Sequence, residues 1–354
     1  MAMKKIYFII LILGIGCNTE QPFVINRGVN LSHWLSQSKK SSLQRDNFVT
    51  KEDLIYLKNN GFDHVRLPLD EVQMWTKDHK KNDTTIKLMH NALKWCNELK
   101  MKVIVDFHIP LSHFFSEDHD RKLFTDTAAQ NRFVKCWQEL SEELKNYPNT
   151  EVAYEIMNEP VAKWHSQWNT VMLLGYNAIR EREPNRTIFI GSNMWQQAQT
   201  FDSLAVPLND SSIVLSFHFY NPMLLTHYKA KWVKTGAYQG EIKYPGKLID
   251  TMGIYLINKD SAQAILNEIM YCDINKLEKL MMPAIEVAKK YNLRLHCGEF
   301  GCIRNTPTTY RLAWYKDMIT LFNKYKIPWS CWDYKGSFYI KDNEKLIQIL
   351  NQKN

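Results

Sequence analysis

The chain has 354 residues, with 45% hydrophobic and 12% aromatic content and a formal net charge of +8. That much apolar sequence fills one large core, and a single domain in the size class of an α/β barrel, roughly 250 residues or more, is the economical reading. The lysines and arginines are scattered, with no block of about five like charges, which removes the main support for nucleic-acid binding.

Lys4 and Lys5 precede an apolar run from Ile6 to Ile15. It is shorter than the roughly 20 residues of a membrane span and suits an export signal. Gly16-Cys17 follows, which resembles a bacterial lipoprotein signal whose cysteine becomes the acylated first residue; Gly14 departs from the larger aliphatic residue usual three positions earlier. Residues 1–17 therefore read as a signal ending at a lipoprotein cysteine, and 22–354 as one folded domain. The expected product is an exported monomer that meets a membrane only through Cys17, or is secreted if the signal is simply cleaved. Six further cysteines, Cys96, Cys136, Cys272, Cys297, Cys302 and Cys331, show no Cys-x-x-Cys spacing. Buried free thiols are the simplest reading, and pairing stays open.

From about residue 22 the chain alternates short β-branched or aromatic runs with amphipathic stretches. Strands are predicted at Val24–Leu31, His64–Leu69, Lys102–His108, Val152–Asn158, Thr187–Ser192, Ile213–Tyr220, Leu293–Glu299 and Pro328–Asp333. Helices are predicted at Lys51–Asn60, Thr84–Lys100, Thr127–Asn146, Trp168–Arg182, Asn275–Lys290 and Thr309–Tyr325, with a weaker pattern after Ser192. Ile86, Met89, Leu93, Cys96 and Leu99 recur every three or four positions, which puts them on one helical face. Strand and helix repeated in this way predict a (β/α)₈ TIM barrel. The competing doubly wound sheet lacks its Gly-x-Gly-x-x-Gly turn after the first strand. A long insertion follows the sixth strand, from Asn221 to about Ile274, with Tyr228, Trp232, Tyr238, Tyr244, Tyr255 and Tyr271 as aromatics for a saccharide cleft or for packing. A short helix is expected in it near Ser261–Met270.

Polar residues stand where these strands end: Arg66 on the second, His108 on the third, Asn158-Glu159-Pro160 on the fourth, His218 and Tyr220 on the sixth, Glu299 on the seventh and Trp332 on the eighth. Residues two apart share a strand face, so His218 and Tyr220 point the same way, and Glu155 faces with Glu159 as a supporting partner. In a barrel all these ends converge on one mouth. A carboxyl buried at such a place is costly unless it is used, because burial disfavours its charged form.

This set, running from Arg27-Gly28-Val29-Asn30 to Trp332-Asp333-Tyr334, resembles glycoside hydrolase family 5, the cellulase-like retaining β-glycanases. The resemblance implies Glu159 as acid/base and Glu299 as nucleophile, with Arg66, His108, Asn158, His218, Tyr220 and Trp332 as supporting or sugar-contacting groups. It implies no cofactor or metal, and a polysaccharide or oligosaccharide as substrate. Ile109–Phe115 and the sixth loop match no assignable subfamily.

The chemistry also follows from the residues alone. Retention needs two carboxyls about 5–5.5 Å apart, one neutral to protonate the departing oxygen and one charged to attack the sugar. Arg66 and Tyr220 are expected to favour the anion on Glu299, and that anion together with burial to raise the pKa of Glu159. Once the glycosyl-enzyme forms, Glu159 becomes the base that activates water. Asn158 is placed to bond the hydroxyl beside the reacting carbon, and Trp332 to floor the ring. Other readings weigh against these: Arg66 pairing with Asp70 or Glu71, Trp332 as core, and His108 and His218 as zinc ligands. No His-x-His or His-Glu-x-x-His motif supports the last. The leading expectation is a β-1,4-glucanase; a β-mannanase, a β-1,3- or mixed-linkage glucanase, and a non-catalytic saccharide-binding lipoprotein are the alternatives.

Overall fold

Eight strands close into a parallel barrel in the computed structural model, which describes residues 22–40, 42–116, 121–249, 258–268 and 271–352. Cys17 and Tyr255 lie outside the described residues. The strands are β1 Arg27–Asn30, β2 His64–Asp70, β3 Lys102–Ile109, β4 Val152–Glu155, β5 Ile188–Ile190, β6 Ile213–Phe219, β7 Arg294–Phe300 and β8 Trp329–Cys331. Each pairs with its neighbours in sequence, and β1 pairs with β8 to close the ring. Each predicted strand is present; β1 is the most shortened, from eight residues to Arg27–Asn30, and β4 ends at Glu155 because the chain leaves the ladder there on its way to Asn158.

Parity along the strands explains the barrel. Val65, Leu67, Val103, Val105, Tyr154, Ile188, Leu215 and Phe217 belong to the large outer core under the helices. Ile104, Ala153, Phe189 and Val214, of the opposite parity, form a small inner cluster closed by Phe23 and Ile25. Arg66, Asp106, Glu155 and His218 share the inner parity and are buried, so the interior changes from apolar to polar towards the C-terminal ends of the strands.

The long helices are α1 Lys51–Asn59, α2 Asp83–Glu98, α3 Thr127–Leu144, α4 His165–Arg180, α5 Ile274–Tyr291 and α6 Thr308–Tyr325. Helix α2 buries Leu88, Met89, Ala92, Leu93 and Cys96 on its inward face, and the Asn82 side chain caps its start by accepting from the Thr85 N–H. The weak pattern after Ser192 becomes one short turn, Asn193–Gln196, and a 3₁₀ segment, Ala198–Ser203.

Between β6 and α5 lie a short helix Met223–Thr226, a helix Lys259–Glu268 and an antiparallel two-residue pair, Gly246–Lys247 with Tyr271–Cys272. The helix expected near Ser261 is therefore present. Tyr228, Tyr238 and Tyr244 of this segment are buried as packing rather than arrayed along a cleft, whereas Trp232 is 60% exposed and Tyr271 is also exposed. All six cysteines among the described residues are buried and unpaired.

Candidate active site

Arg66 organises the site from the inner face of β2. Its Nε donates to Glu155 Oε2 at 2.6 Å, one terminal nitrogen to Asn30 Oδ1 at 2.9 Å and Glu299 Oε1 at 2.7 Å, and the other to Asn158 Oδ1 at 2.9 Å, with Asp106 Oδ2 at 3.0 Å. Four hydrogen bonds and one ion pair thus surround the guanidinium with acceptors. The alternative pairing with Asp70 or Glu71 is not what forms: Asp70 accepts from the Gln37 N–H at 2.6 Å, and Glu71 pairs with Arg132.

Glu299 reaches the site through an irregularity. Opposite β6 the register shifts between Phe217 and His218, so that Phe217 faces Cys297 while His218 faces Glu299. Such bulges re-aim side chains beside active sites. Gly298 occupies the skipped position, where a Cβ would come 2.8 Å from Ser216 Oγ and 3.1 Å from His218 Nε2. Glu299 then accepts from Arg66 on one oxygen and from the Tyr220 hydroxyl at 2.8 Å on the other.

Glu159 lies just past β4 with φ +43°, a left-handed value uncommon for a residue with a side chain. Two contacts hold that backbone: its N–H donates to Gln196 Oε1 at 2.9 Å, and its carbonyl lies 3.2 Å from His113 Nε2. Gln196 also donates to Glu155 Oε1 at 3.0 Å, which ties the turn to the Arg66 network. The Glu159 carboxyl meets His218 Nδ1 at 2.9 Å, and the same nitrogen is 3.7 Å from Glu299 Oε2. An oxygen of each carboxyl and a nitrogen of His218 all lie within 4.8 Å of one another. The Glu159 side chain is 14% exposed and that of Glu299 5%, so both carboxyls are nearly dry and open to the same small space.

Burial and the neighbouring Glu299 charge push the Glu159 carboxyl well above the ordinary range. Burial also raises Glu299, but there Arg66 and the Tyr220 hydroxyl oppose it through direct hydrogen bonds. The proton that the pair retains therefore sits on Glu159, and the anion on Glu299. Asp106 is pushed up to about 7 by burial against the pull of Arg66. His108 is lowered to about 4 by burial and Arg66, and is neutral. Its Nδ1–H donates to Asp106 at 2.6 Å, which leaves Nε2 to accept from the Gln37 amide at 3.0 Å. The trio Glu159, His218 and Glu299 has the spacing of a cation site, yet Arg66 already supplies a positive charge to Glu299 there.

Trp332 is 8% exposed. The His108 ring is stacked on one of its faces, with centroids 5.7 Å apart and planes 6° apart, and His33 meets it edge-on. All eight residues singled out in the sequence are thus brought to one mouth. Sequence reading missed Asn30, Asp106, Gln37 and Gln196. Asp106 had a signal, since it lies two residues before His108 on the same strand face; Gln196 had none, because it acts from a turn whose residues 194–196 all have positive φ.

A closed parallel barrel with two buried, hydrogen-bonded carboxyls at the C-terminal ends of β4 and β7 defines a barrel glycosidase. Residues 20–337 match the family described as Cellulase (glycosyl hydrolase family 5), and the chain belongs to that family. Endoglucanase C of Acetivibrio thermocellus is 34% identical over 335 residues, 91% of this chain and 96% of that protein. Cellodextrinase A of Ruminococcus flavefaciens is 26% identical, over 87% of this chain and 84% of that one. In fold, the chain resembles Thermotoga maritima Cel5A, solved in complex with cellobiose, with a TM-score of 0.71 and 22% identity over 93% of this chain and 100% of that one.

Proposed function

We propose that the protein is a retaining endo-β-1,4-glucanase in which Glu299 attacks the anomeric carbon and Glu159 protonates the departing glycosidic oxygen. The observation that carries this reading is the pair itself: carboxyl oxygens within 4.8 Å of one another, one carboxyl tied to a guanidinium and a phenol, the other to a neutral imidazole. That spacing suits a glycosyl-enzyme; inversion needs room for a water and a separation of about 6.5–9.5 Å between the two groups. As the covalent bond forms, Glu299 loses its charge, the repulsion that raised Glu159 falls, and Glu159 can take a proton from water. Arg66 holds Glu299 in line, Asn158 is fixed by Arg66 to face the sugar, and Trp332 backed by His108 forms part of the floor. The similarity to Endoglucanase C, spanning nearly the whole of both chains, favours a β-1,4-glucan over a mannan or a β-1,3-glucan.

The segment between β6 and α5 is read as an insertion that shapes one wall of the cleft. Trp232 supports that, because it is exposed and packs against His227, which in turn lies 5.1 Å from the Tyr220 ring. Export and a lipid anchor at Cys17 rest on the charged and apolar pattern before it. Among the described residues no helix is long and apolar enough to cross a membrane.

The test uses Glu159→Ala with an aryl cellobioside whose leaving group needs no protonation. A rapid first turnover followed by slow steady state is expected, with azide restoring turnover and yielding a β-glycosyl azide. An unchanged rate in azide, with no azide product, contradicts the assigned role. A polysaccharide panel on the wild type then separates β-1,4-glucan from mannan and β-1,3-glucan.

A further inference from the structure

Outside the barrel wall, between the turn that follows β2 and helix α3, a second group of chemically able side chains meets. An oxygen of Glu71, a ring nitrogen of His79 and the sulfur of Cys136 all lie within 4.8 Å of one another. Cys136 and Glu139 are three apart on α3 and so share a face, and Glu139 Oε1 is 3.3 Å from His79 Nε2. We propose that Glu71, His79 and Cys136, with Glu139 beside them, form a binding site for one zinc ion, separate from the sugar cleft.

His79 is the independent observation that points to a ligand. Its side chain is only 10% exposed, yet neither ring nitrogen makes a hydrogen bond. Its polar neighbour Glu139 Oε1, at 3.3 Å, makes an ion-pair contact without hydrogen-bond geometry; buried polar atoms are nearly always paired, so an imidazole left beside carboxylates and a thiol has the surroundings of a metal ligand. The ring is also held still. Trp75 stacks on it with planes 1° apart, and His79 itself sits at φ +57° in a turn closed by its N–H to the Thr76 carbonyl at 2.9 Å. The same Trp75 donates to Glu139 Oε2 at 2.6 Å, and the Leu111 N–H donates to Glu71 Oε2 at 2.7 Å, so both carboxylates are oriented by their other oxygens. Partners of this kind, one step behind the ligands, are what metal sites use to fix geometry.

Arg132 pairs with Glu71, and an ion pair alone is the competing account of the cluster. It leaves both ring nitrogens of His79 without a hydrogen bond. A Cys136 thiolate, Glu71 and Glu139 total three negative charges, set against zinc, Arg132 and the partly exposed Lys135 at 3.8 Å from Glu139. Thiolate with imidazole selects zinc over calcium or magnesium. Tetrahedral zinc, with bonds of about 2.0–2.3 Å, wants its ligands about 3.3–3.8 Å apart, so a closing movement of about an ångström completes the site. Zinc takes the thiolate form of cysteine, so binding releases a proton and weakens as the pH falls. Zinc here would fasten the β2 turn to α3.

Chelator-treated full-length protein is dialysed with zinc, the retained metal is counted, and cobalt(II) is then substituted. Expected are one zinc per chain, a higher Tm with zinc than without, and a sulfur-to-cobalt charge-transfer band that Cys136→Ser abolishes. His79→Ala should weaken zinc by at least the ~10–100-fold that loss of even an outer partner costs, while kcat on an aryl cellobioside stays as in the wild type. Zinc lost on dialysis, a cobalt band that survives Cys136→Ser, or equal zinc retention in His79→Ala overturns the proposal. Equal retention would place the metal on Glu159, His218 and Glu299. If Cys136→Ser does not fold, the wild-type band and His79→Ala decide.

Discussion

Arg66 donates to Glu155, Asn30, Glu299 and Asn158 and pairs with Asp106, so its planar fork and not only its charge sets the site. Lysine keeps the charge but has three donors on a flexible stem. Arg66→Lys should lower kcat/KM by about a hundredfold or more, in line with the loss of a positioned donor to a reacting group. The pH profile identifies the cause. Under the proposed roles, the wild-type acid limb is protonation of Glu299 and the alkaline limb is loss of the Glu159 proton, which burial and the Glu299 charge hold well above the usual carboxyl range. Weakening the bond from Arg66 favours the neutral form of Glu299, so the acid limb should move up while the alkaline limb moves less. An acid limb that stays in place in Arg66→Lys would show that Arg66 does not hold the nucleophile's charge.

Asp53 shows how one element is tied to a distant one. It is the third residue of α1, where it accepts the Thr50 N–H at 3.0 Å, and it also accepts from Tyr334 at 2.7 Å, Lys335 at 2.6 Å and Lys341 at 3.1 Å. These contacts fasten the first long helix to the loop after β8, next to Asp333, which accepts from Ser32 at 2.7 Å. Burial works to raise the Asp53 pKa, but the hydrogen bonds from Lys335 and Tyr334 outweigh it and hold the group below its ordinary 3.8. A carboxyl depressed on folding stabilises above its unfolded pKa, and that stability is lost as pH falls through the folded value. Asp53→Asn should therefore destabilise by about 2–4 kcal/mol in urea unfolding at pH 7, with a gap that narrows as the pH falls below the ordinary carboxyl pKa and through the lowered folded one. A gap independent of pH would mean that packing, not charge, is lost.

At the scale of the whole molecule, what the sequence disclosed is what repeats. Short β-branched or aromatic runs alternating with amphipathic stretches placed the eight strands and six long helices, because a barrel wall repeats strand and helix along the chain. The strand-end residues followed from the same rule. Unseen were the parts set by three-dimensional closure: the bulge that turns Glu299 inward past Gly298, the left-handed turn that brings Gln196 to Glu159, and the meeting of Glu71, His79 and Cys136 from three separated stretches. The loop aromatics divided in a way that no spacing reveals, with Tyr228, Tyr238 and Tyr244 inside and Trp232 out. Trp232→Ala should raise KM on cello-oligosaccharides long enough to reach that wall, consistent with about 1 kcal/mol or more of lost ring contact, and leave an aryl cellobioside unaffected. Equal effects on long and short substrates would place Trp232 outside the cleft.

The central claim is that Glu159 and Glu299 meet across one sugar as a neutral acid and an anionic nucleophile. Proton NMR of cello-oligosaccharide hydrolysis, read before mutarotation, tests it directly. The account predicts that the β-anomer appears first and that the α-anomer grows only at the rate of mutarotation. An α-anomer formed first would mean inversion, and would contradict a covalent intermediate on Glu299.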